Sequence, residues 1–140
     1  MNPEEIRAII RRAADACTAR DAEGFAALFA ETGEIILSGE TRSASLQEQQ
    51  EKQENSASGS MRENRLAGKA AIQKATVNYL AVLAEVKIEI RRILVEGEQA
   101  AVEWRWCDLN LATGRDRCAD NAILIEFNSG LIARWREYKG

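Results

Sequence analysis

The chain has 140 residues, of which 46% are hydrophobic and 29% are charged, with a formal net charge of −3. This composition is typical of a globular chain, and we expect a single domain over residues 1–140 that is large enough to bury a core without crosslinks. A nucleic-acid partner and a membrane span are not expected, because the chain has no basic stripe with interleaved aromatic residues and no apolar run of about 18 residues.

The first two predicted elements are helices. Asn2 is a suitable N-cap and Pro3 suits a first turn, so a helix is predicted to begin there and to run to about Arg20. Its apolar stripe consists of Ile6, Ile9, Ile10, Ala13 and Cys17. Asp21 can cap a second, short helix over AEGFAALFAE, and the EIIL that follows predicts a strand.

A polar segment covers residues 38–68. Its large apolar residues are Leu46, Met61 and Leu66, too few to bury much of the segment. We expect a polar insertion at about 41–65. It forms either a solvated helix or loop on the surface, or a lid over a pocket or an arm to a partner subunit.

The second half of the chain predicts a third helix and an antiparallel meander. The helix is KAAIQKATVNYLAVLAE, and its predicted buried face consists of Ile72, Ala75, Tyr79, Val82 and Leu83. Strand alternation follows in EVKIEIRRILVEG, QAAVEWRWCDLNL, DRCADNAILIEF and LIARWREY, with turns such as EGEQ and ATGR between them. This order predicts an α+β domain whose helices pack on one face of a curved sheet.

The residues that could carry chemistry are limited by the absence of histidine. Ser-His-Asp and Cys-His systems and histidine-ligated metals are excluded, so acid/base chemistry falls to carboxylates, tyrosine, lysine or cysteine. The cysteines Cys17, Cys107 and Cys118 are odd in number and contain no CxxC pair. We expect free thiols in a reducing cytoplasm and no bound metal, although a disulfide stays open for Cys107 and Cys118 if their strands are neighbours.

The N-terminus places acidic residues before its first arginines and has no apolar segment. A signal peptide is therefore not expected, and the sequence favours a cytoplasmic location.

Four segments carry a family resemblance: DAEGFAALFAETGEI, LAGKAAIQKATVNYL, GEQAAVEWRW and TGRDRCADNAILIEFNSGLIARWREY. In this order they resemble the NTF2-like superfamily, and within it the SnoaL-like and limonene-epoxide-hydrolase-like branch. The resemblance implies an NTF2-like (cystatin-like) cone, in which three helices pack on the concave face of a curved antiparallel sheet. It also implies a pocket between helices and sheet, and a homodimer.

The catalytic residues of the epoxide-hydrolase branch are only partly present. That branch uses an Asp–Arg–Asp relay, and an ungapped alignment on TGR and WREY places Glu137 at one relay aspartate. The same alignment places Trp104 and Trp106 where the arginine and the other aspartate should stand. A shift of one residue would bring Arg105 and Cys107 to those positions instead.

The resemblance and strand alternation together predict a pocket. Residues two apart in a strand share a face, and the predicted lining consists of Ile35, Leu37, Tyr79, Trp104, Trp106, Ala119, Asn121, Ile123 and Trp135 around the carboxylates of Glu137 and Asp108. An apolar wall with a few polar groups is usual for a small-molecule site.

Within this pocket we expect Glu137 to be a general acid or base, because a carboxyl group in such a wall is desolvated. Asp108 is its expected charge partner, and Asn121 is expected to orient water or a substrate oxygen. The alternative is structural: either carboxylate can pair with an arginine such as Arg117 or Arg134.

Two functions stay open because the superfamily includes enzymes and non-catalytic binding modules. The first is carboxylate acid/base catalysis on a small apolar molecule, by epoxide hydrolysis, isomerisation or cyclisation, without a metal or organic cofactor. The second is a non-catalytic module that binds an apolar ligand or mediates dimerisation. The catalytic residues of ketosteroid isomerases are absent from this chain. The tyrosine of those enzymes aligns with Ala13, and their catalytic base aligns near Leu37.

Overall fold

The computed structural model describes residues 1–38 and 63–140. Its elements are α1 (Pro3–Thr18), α2 (Ala22–Ala26), β1 (Phe29–Ser38), β2 (Glu63–Ala67), α3 (Lys69–Ala81), β3 (Leu83–Glu96), β4 (Gln99–Asn110), β5 (Asp116–Asn128) and β6 (Leu131–Lys139). The predicted insertion at about 41–65 lies outside the described residues except for its last three, which belong to β2. None of the helices in the described part is long and apolar enough to cross a membrane.

The start of α1 is as predicted. The Asn2 side chain accepts a hydrogen bond from the Glu5 backbone N–H at 2.8 Å, and the Glu5 carboxylate accepts one from the Asn2 N–H at 3.3 Å. This capping box satisfies two N–H groups that have no partner inside the helix. The predicted apolar stripe of α1 is buried along its whole length.

The second and third helices are shorter than predicted. Phe29 already belongs to β1 rather than to the second helix. α3 ends at Ala81, because the chain leaves the helix at Val82 to begin β3 with Leu83. Val82 is therefore 39% exposed instead of buried, and Leu80, which the prediction did not include, lies in the core.

The six strands form one curved sheet in the order β2-β1-β6-β5-β4-β3. The predicted meander runs antiparallel from β3 to β6, and β2 is also antiparallel to β1. β1 runs parallel to β6, so the sheet is mixed rather than wholly antiparallel. Alternation of side chains identifies a strand but not its neighbours, which is why this pairing of the first and last strands was not predicted.

The pairing of β4 with β5 agrees with the ungapped family alignment. Trp104 lies opposite Asn121, and Asp108 lies opposite Arg117. Trp104 and Asp108 are buried, whereas Arg105 lies on the outer face beside Asp120. The alternative register, which would bring Arg105 and Cys107 into the interior, is therefore wrong.

The helices cover the inner face of the sheet. One apolar cluster joins Ile6 and Ile10 of α1 and Phe25 of α2 to Trp104 of β4 and Trp135 of β6. The rings of Phe25 and Trp135 meet edge to face, with centroids 5.4 Å apart, an arrangement that adds to the stabilisation from burial alone. This packing places the inner side chains of β4, β5 and β6 beneath the helices.

Cys107 and Cys118 form a disulfide, so the expectation of three free thiols is wrong for this pair. The two residues lie directly opposite each other in the β4–β5 register, with Cα atoms 4.1 Å apart. Cys17 is a free, buried thiol. Disulfides persist mainly in oxidising compartments, and the cytoplasmic location stays a prediction.

The disulfide predicts a specific labelling pattern. When the protein is purified without reductant and unfolded, alkylation should add one label, on Cys17, and three labels after reduction, as measured by intact mass. Replacing both Cys107 and Cys118 by alanine should lower the free energy of unfolding by about 2–3 kcal/mol, because the crosslink closes a loop with a sequence separation of 11. Three labels without reduction would contradict the crosslink.

Candidate functional site

Glu137 projects from β6 into the interior and is 8% exposed. Its Oε1 accepts a hydrogen bond from Trp135 Nε1 at 3.0 Å, and its Oε2 accepts one from Asn121 Nδ2 at 2.7 Å. Trp135 shares the inner face of β6 with Glu137 because the two residues are two apart in a strand. Both donors are uncharged, so these hydrogen bonds orient the carboxylate without neutralising it.

Asp108 has a different environment. It is 5% exposed, and its Oδ1 lies 3.4 Å from Nε of Arg117, the residue opposite it on β5. Its Oδ2 accepts a hydrogen bond from Trp106 Nε1 at 2.8 Å and a longer one, 3.4 Å, from the Tyr79 hydroxyl. The structural alternative, a carboxylate paired with an arginine, therefore holds for Asp108, whose charge partner is Arg117 rather than Glu137.

Electrostatic effects connect α1 and α3 to the Glu137 carboxylate. Burial raises the pKa of the Tyr79 hydroxyl to about 12, and the Asp108 and Glu137 carboxylates add to the effect while Arg117 opposes it. Burial also raises the pKa of the Cys17 thiol to about 12, with a contribution from the charge of Glu137. Tyr79 and Cys17 are therefore protonated at neutral pH, and both lie within electrostatic range of Glu137.

Three tryptophans form a row on the inner face. The Trp104 ring lies between those of Trp106 and Trp135, with centroid distances of 6.5 and 5.5 Å. The indole N–H groups of Trp106 and Trp135 each donate to a buried carboxylate. Trp104 is 1% exposed, and within residues 1–38 and 63–140 its indole N–H has no hydrogen-bond partner.

The remaining predicted pocket residues lie on the same inner face. Leu37 on β1 and Ile123 on β5 flank Glu137 on its two sides in the sheet. Ile123 and Ile35 are buried, whereas Leu37 and Ala119 are partly buried. The predicted site residues of the strands therefore share one face of the sheet, while their roles stay predictions.

Sequence reasoning named Arg117 only as one possible ion-pair partner of the carboxylates, and it did not place Cys17 near Glu137. Arg117 precedes Ala119 and Asn121 at two-residue spacing, so alternation could have placed it on the inner face. Cys17 belongs to the apolar stripe of α1 and was identified only as a core residue. Its proximity to Glu137 depends on how the helix packs on the sheet, for which the sequence carries no signal.

A cavity of about 540 Å³ is lined by neither of these carboxylates. It is lined by the turn between α1 and α2, by α3, and by the start of β3; the lining residues are Ala19, Arg20, Asp21, Ala22, Glu23, Gln73, Val77, Leu80, Ala81, Leu83 and Leu111. None of the predicted pocket residues belongs to this set. The pocket between helices and sheet stays a prediction.

The fold and the buried carboxylates of its inner face define the class of protein: a helix-covered, curved-sheet α+β domain of the NTF2-like type. Residues 10–135 match the SnoaL-like domain family, and the chain belongs to that family. The limonene-epoxide-hydrolase branch stays a prediction. A comparison with curated proteins finds no match.

Solved structures confirm the NTF2-like, cystatin-like fold. An NTF2-like protein of unknown function from Burkholderia pseudomallei has 13% identity and a TM-score of 0.73, covering 100% of this chain and 92% of that one. A hypothetical protein with a ketosteroid isomerase-like fold from Catenulispora acidiphila, in complex with trimethylamine, has 15% identity and a TM-score of 0.71, covering 99% and 86%. A protein of unknown function with a cystatin-like fold from Methylobium petroleophilum has 18% identity and a TM-score of 0.69, covering 100% and 78%.

The shifted pKa of Tyr79 can be measured. In a Tyr138→Phe variant Tyr79 is the remaining tyrosine, and its phenolate absorbance should appear with a midpoint near pH 12 rather than near 10. Because the folded-state pKa is raised, this contribution to stability is complete below about pH 10 and is lost as the pH rises towards about 12. Asp108→Asn should lower the midpoint, whereas Asp120→Asn on the outer face should not.

A midpoint near pH 10 in protein that is still folded would contradict this description of Tyr79. Circular dichroism at each pH separates titration of the folded state from alkaline unfolding.

Proposed function

We propose that this protein binds a small apolar molecule and converts it by acid/base catalysis without a cofactor. Glu137 is the proposed proton-transferring group. The observation that carries the proposal is that Glu137 is buried and hydrogen-bonded by two neutral donors, Trp135 and Asn121. A buried carboxylate without an ion-pair partner among its hydrogen-bond donors keeps the capacity to accept and return a proton. The SnoaL-like family and the ketosteroid isomerase-like fold of a solved neighbour support a small-molecule reaction of this kind.

Glu137 is proposed to act first as the base. Both hydrogen bonds in the structure are accepted by its oxygens, an arrangement that suits a carboxylate before proton transfer. In an isomerisation or cyclisation, Glu137 would take a proton from a substrate carbon and return it at a second position, so the protons balance without a cofactor. In epoxide hydrolysis it would take the proton from the attacking water.

The second group is Tyr79, which can supply a proton. With a pKa of about 12 the hydroxyl is protonated at neutral pH, and it lies within electrostatic range of Glu137. In epoxide hydrolysis the ring oxygen needs a proton as the C–O bond breaks, and Tyr79 is the proposed donor; the proton that Glu137 took from water would then return to the Tyr79 phenolate through solvent, which restores both groups. Asp108 would assist by orienting Tyr79 and Trp106, both of which hydrogen-bond to it.

A non-catalytic binding module is the second candidate, and one observation favours it. The inner face around Glu137 is closely packed by Trp104, Trp135 and Asn121, and the cavity of about 540 Å³ is lined by none of these residues. A protein of this kind would bind an apolar ligand by side-chain rearrangement, or use the domain for assembly.

A homodimer through the outer face of the sheet is part of the proposal. Leu94, Ala101 and Leu124 lie side by side across β3, β4 and β5, and Tyr138 lies on β6 opposite Ala122, the outer-face residue two positions before Leu124. Leu94, Leu124 and Tyr138 are exposed. An exposed apolar row on an otherwise polar face is typical of a protein–protein contact.

The dimer predicts a change of oligomeric state on substitution. Leu124→Arg places a charge in the row and beside Arg136, in both copies, and should convert the dimer to monomer in sedimentation velocity. Leu111→Arg changes an equally large exposed leucine in the β4–β5 turn and should leave the dimer intact. A monomeric wild type would exclude this part of the proposal.

The catalytic role of Glu137 predicts a matched pair of variants. A panel of epoxides and conjugated ketones is screened for turnover, and each substrate found is tested with Glu137→Gln and with Glu126→Gln, a half-exposed glutamate on the outer face of β5. Glu137→Gln keeps the side-chain size but cannot take up the proton, so kcat should fall by about 10²- to 10⁴-fold, while Glu126→Gln should not change it.

Thermal melts of both variants control for misfolding. Unchanged turnover in folded Glu137→Gln would remove Glu137 from the mechanism. Thermal stabilisation by the same compounds without any turnover would favour the binding module.

A further inference from the structure

We propose that the indole N–H of Trp104 is a ligand-recognition group that donates a hydrogen bond to a carbonyl oxygen on the small molecule. This inference rests on the proposed small-molecule site and adds the chemical class of its ligand, an apolar ring compound with one acceptor oxygen. The observation behind it is the contrast among the three tryptophans: two indoles donate to buried carboxylates, and the third has no partner in the described part of the chain.

The unpaired donor has an energetic cost. Buried polar groups almost always have a hydrogen-bond partner, and a buried donor without one destabilises the fold by about 1–3 kcal/mol. A phenylalanine at this position would fill apolar space without that cost. The N–H of Trp104 is therefore the feature of this side chain that packing does not account for.

The position of Trp104 connects it to Glu137 in two ways. Its partner in the β4–β5 register is Asn121, which donates to the Glu137 carboxylate. Its ring lies 5.5 Å, between centroids, from that of Trp135, which donates to the same carboxylate. Trp104 is therefore next to both hydrogen-bond donors of the proposed base, and the proposal places the ligand oxygen in the same part of the interior.

The chemistry of the donor restricts the ligand. An indole N–H donates and cannot accept, so it selects an oxygen lone pair over a hydroxyl hydrogen or an ammonium group. The surrounding aromatic rings favour an apolar body, and no cation lies among the described hydrogen-bond partners of Glu137 to attract an anionic ligand. A neutral ketone matches these requirements, whereas a hydrocarbon of the same shape would leave the donor unpaired.

The test uses a pair of probes that differ by one carbonyl group, α-tetralone and tetralin. The chain has three tryptophans, so isotope-labelled protein gives three indole N–H signals, which Trp106→Phe and Trp135→Phe assign by elimination. Adding α-tetralone should move the Trp104 signal downfield. The ketone should bind roughly tenfold more tightly than tetralin, the difference expected for one hydrogen bond to a buried donor.

Trp104→Phe should remove this preference and leave the affinity for tetralin unchanged, with a thermal melt to confirm folding. If the variant fails to fold, the wild-type shift of the Trp104 signal decides. An unmoved Trp104 signal at a saturating ketone concentration, equal affinity for the two probes, or no binding of either probe would overturn the inference.

The binding comparison between ketone and hydrocarbon can be made whether or not the protein turns over a substrate. A ketone preference that depends on Trp104 in a protein without activity would keep Trp104 as the recognition group and reject catalysis by Glu137. Turnover that depends on Glu137 but not on Trp104 would reject the inference and keep the proposed function.

Discussion

The register between β4 and β5 is the constraint on which the rest of the site depends. It places Trp104 opposite Asn121 and Asp108 opposite Arg117, so that these four side chains face the helices. On the outer face the same register aligns Cys107 with Cys118, and the disulfide holds the two strands together there. Because side chains alternate, a shift of β4 by one residue would exchange its two faces, exposing Trp104 and Trp106 and burying Arg105.

The same inner face holds two carboxylates in different environments, which gives them different properties. Asp108 is paired with Arg117 and accepts hydrogen bonds from Trp106 and Tyr79, so it is an integral part of a polar network. Glu137 is held by neutral donors in an aromatic surrounding. Environments that differ in this way are how a protein assigns structural and chemical roles to residues of the same type.

Tryptophan has two functions in this interior. The rings fill the space between helices and sheet, while the indole N–H groups of Trp106 and Trp135 satisfy the buried carboxylates. Each such pair lies two residues apart in one strand, Trp106 with Asp108 and Trp135 with Glu137, so the motif is local in sequence. Trp104 follows the packing part of this pattern without a carboxylate to bind.

The sequence by itself determined the existence of the three helices and of five of the six described strands, and which residues of each strand share a face, because these follow from the local backbone repeat. The repeat placed Trp104 and Asp108 on one face of their strand, and the family resemblance indicated that this face and Glu137 point inward. Only the tertiary structure decided which residues meet: Asp108 with Arg117, Cys107 with Cys118, and β1 parallel to β6. These contacts join residues from different strands, and local periodicity contains no information about which strands become neighbours or how helices pack over them.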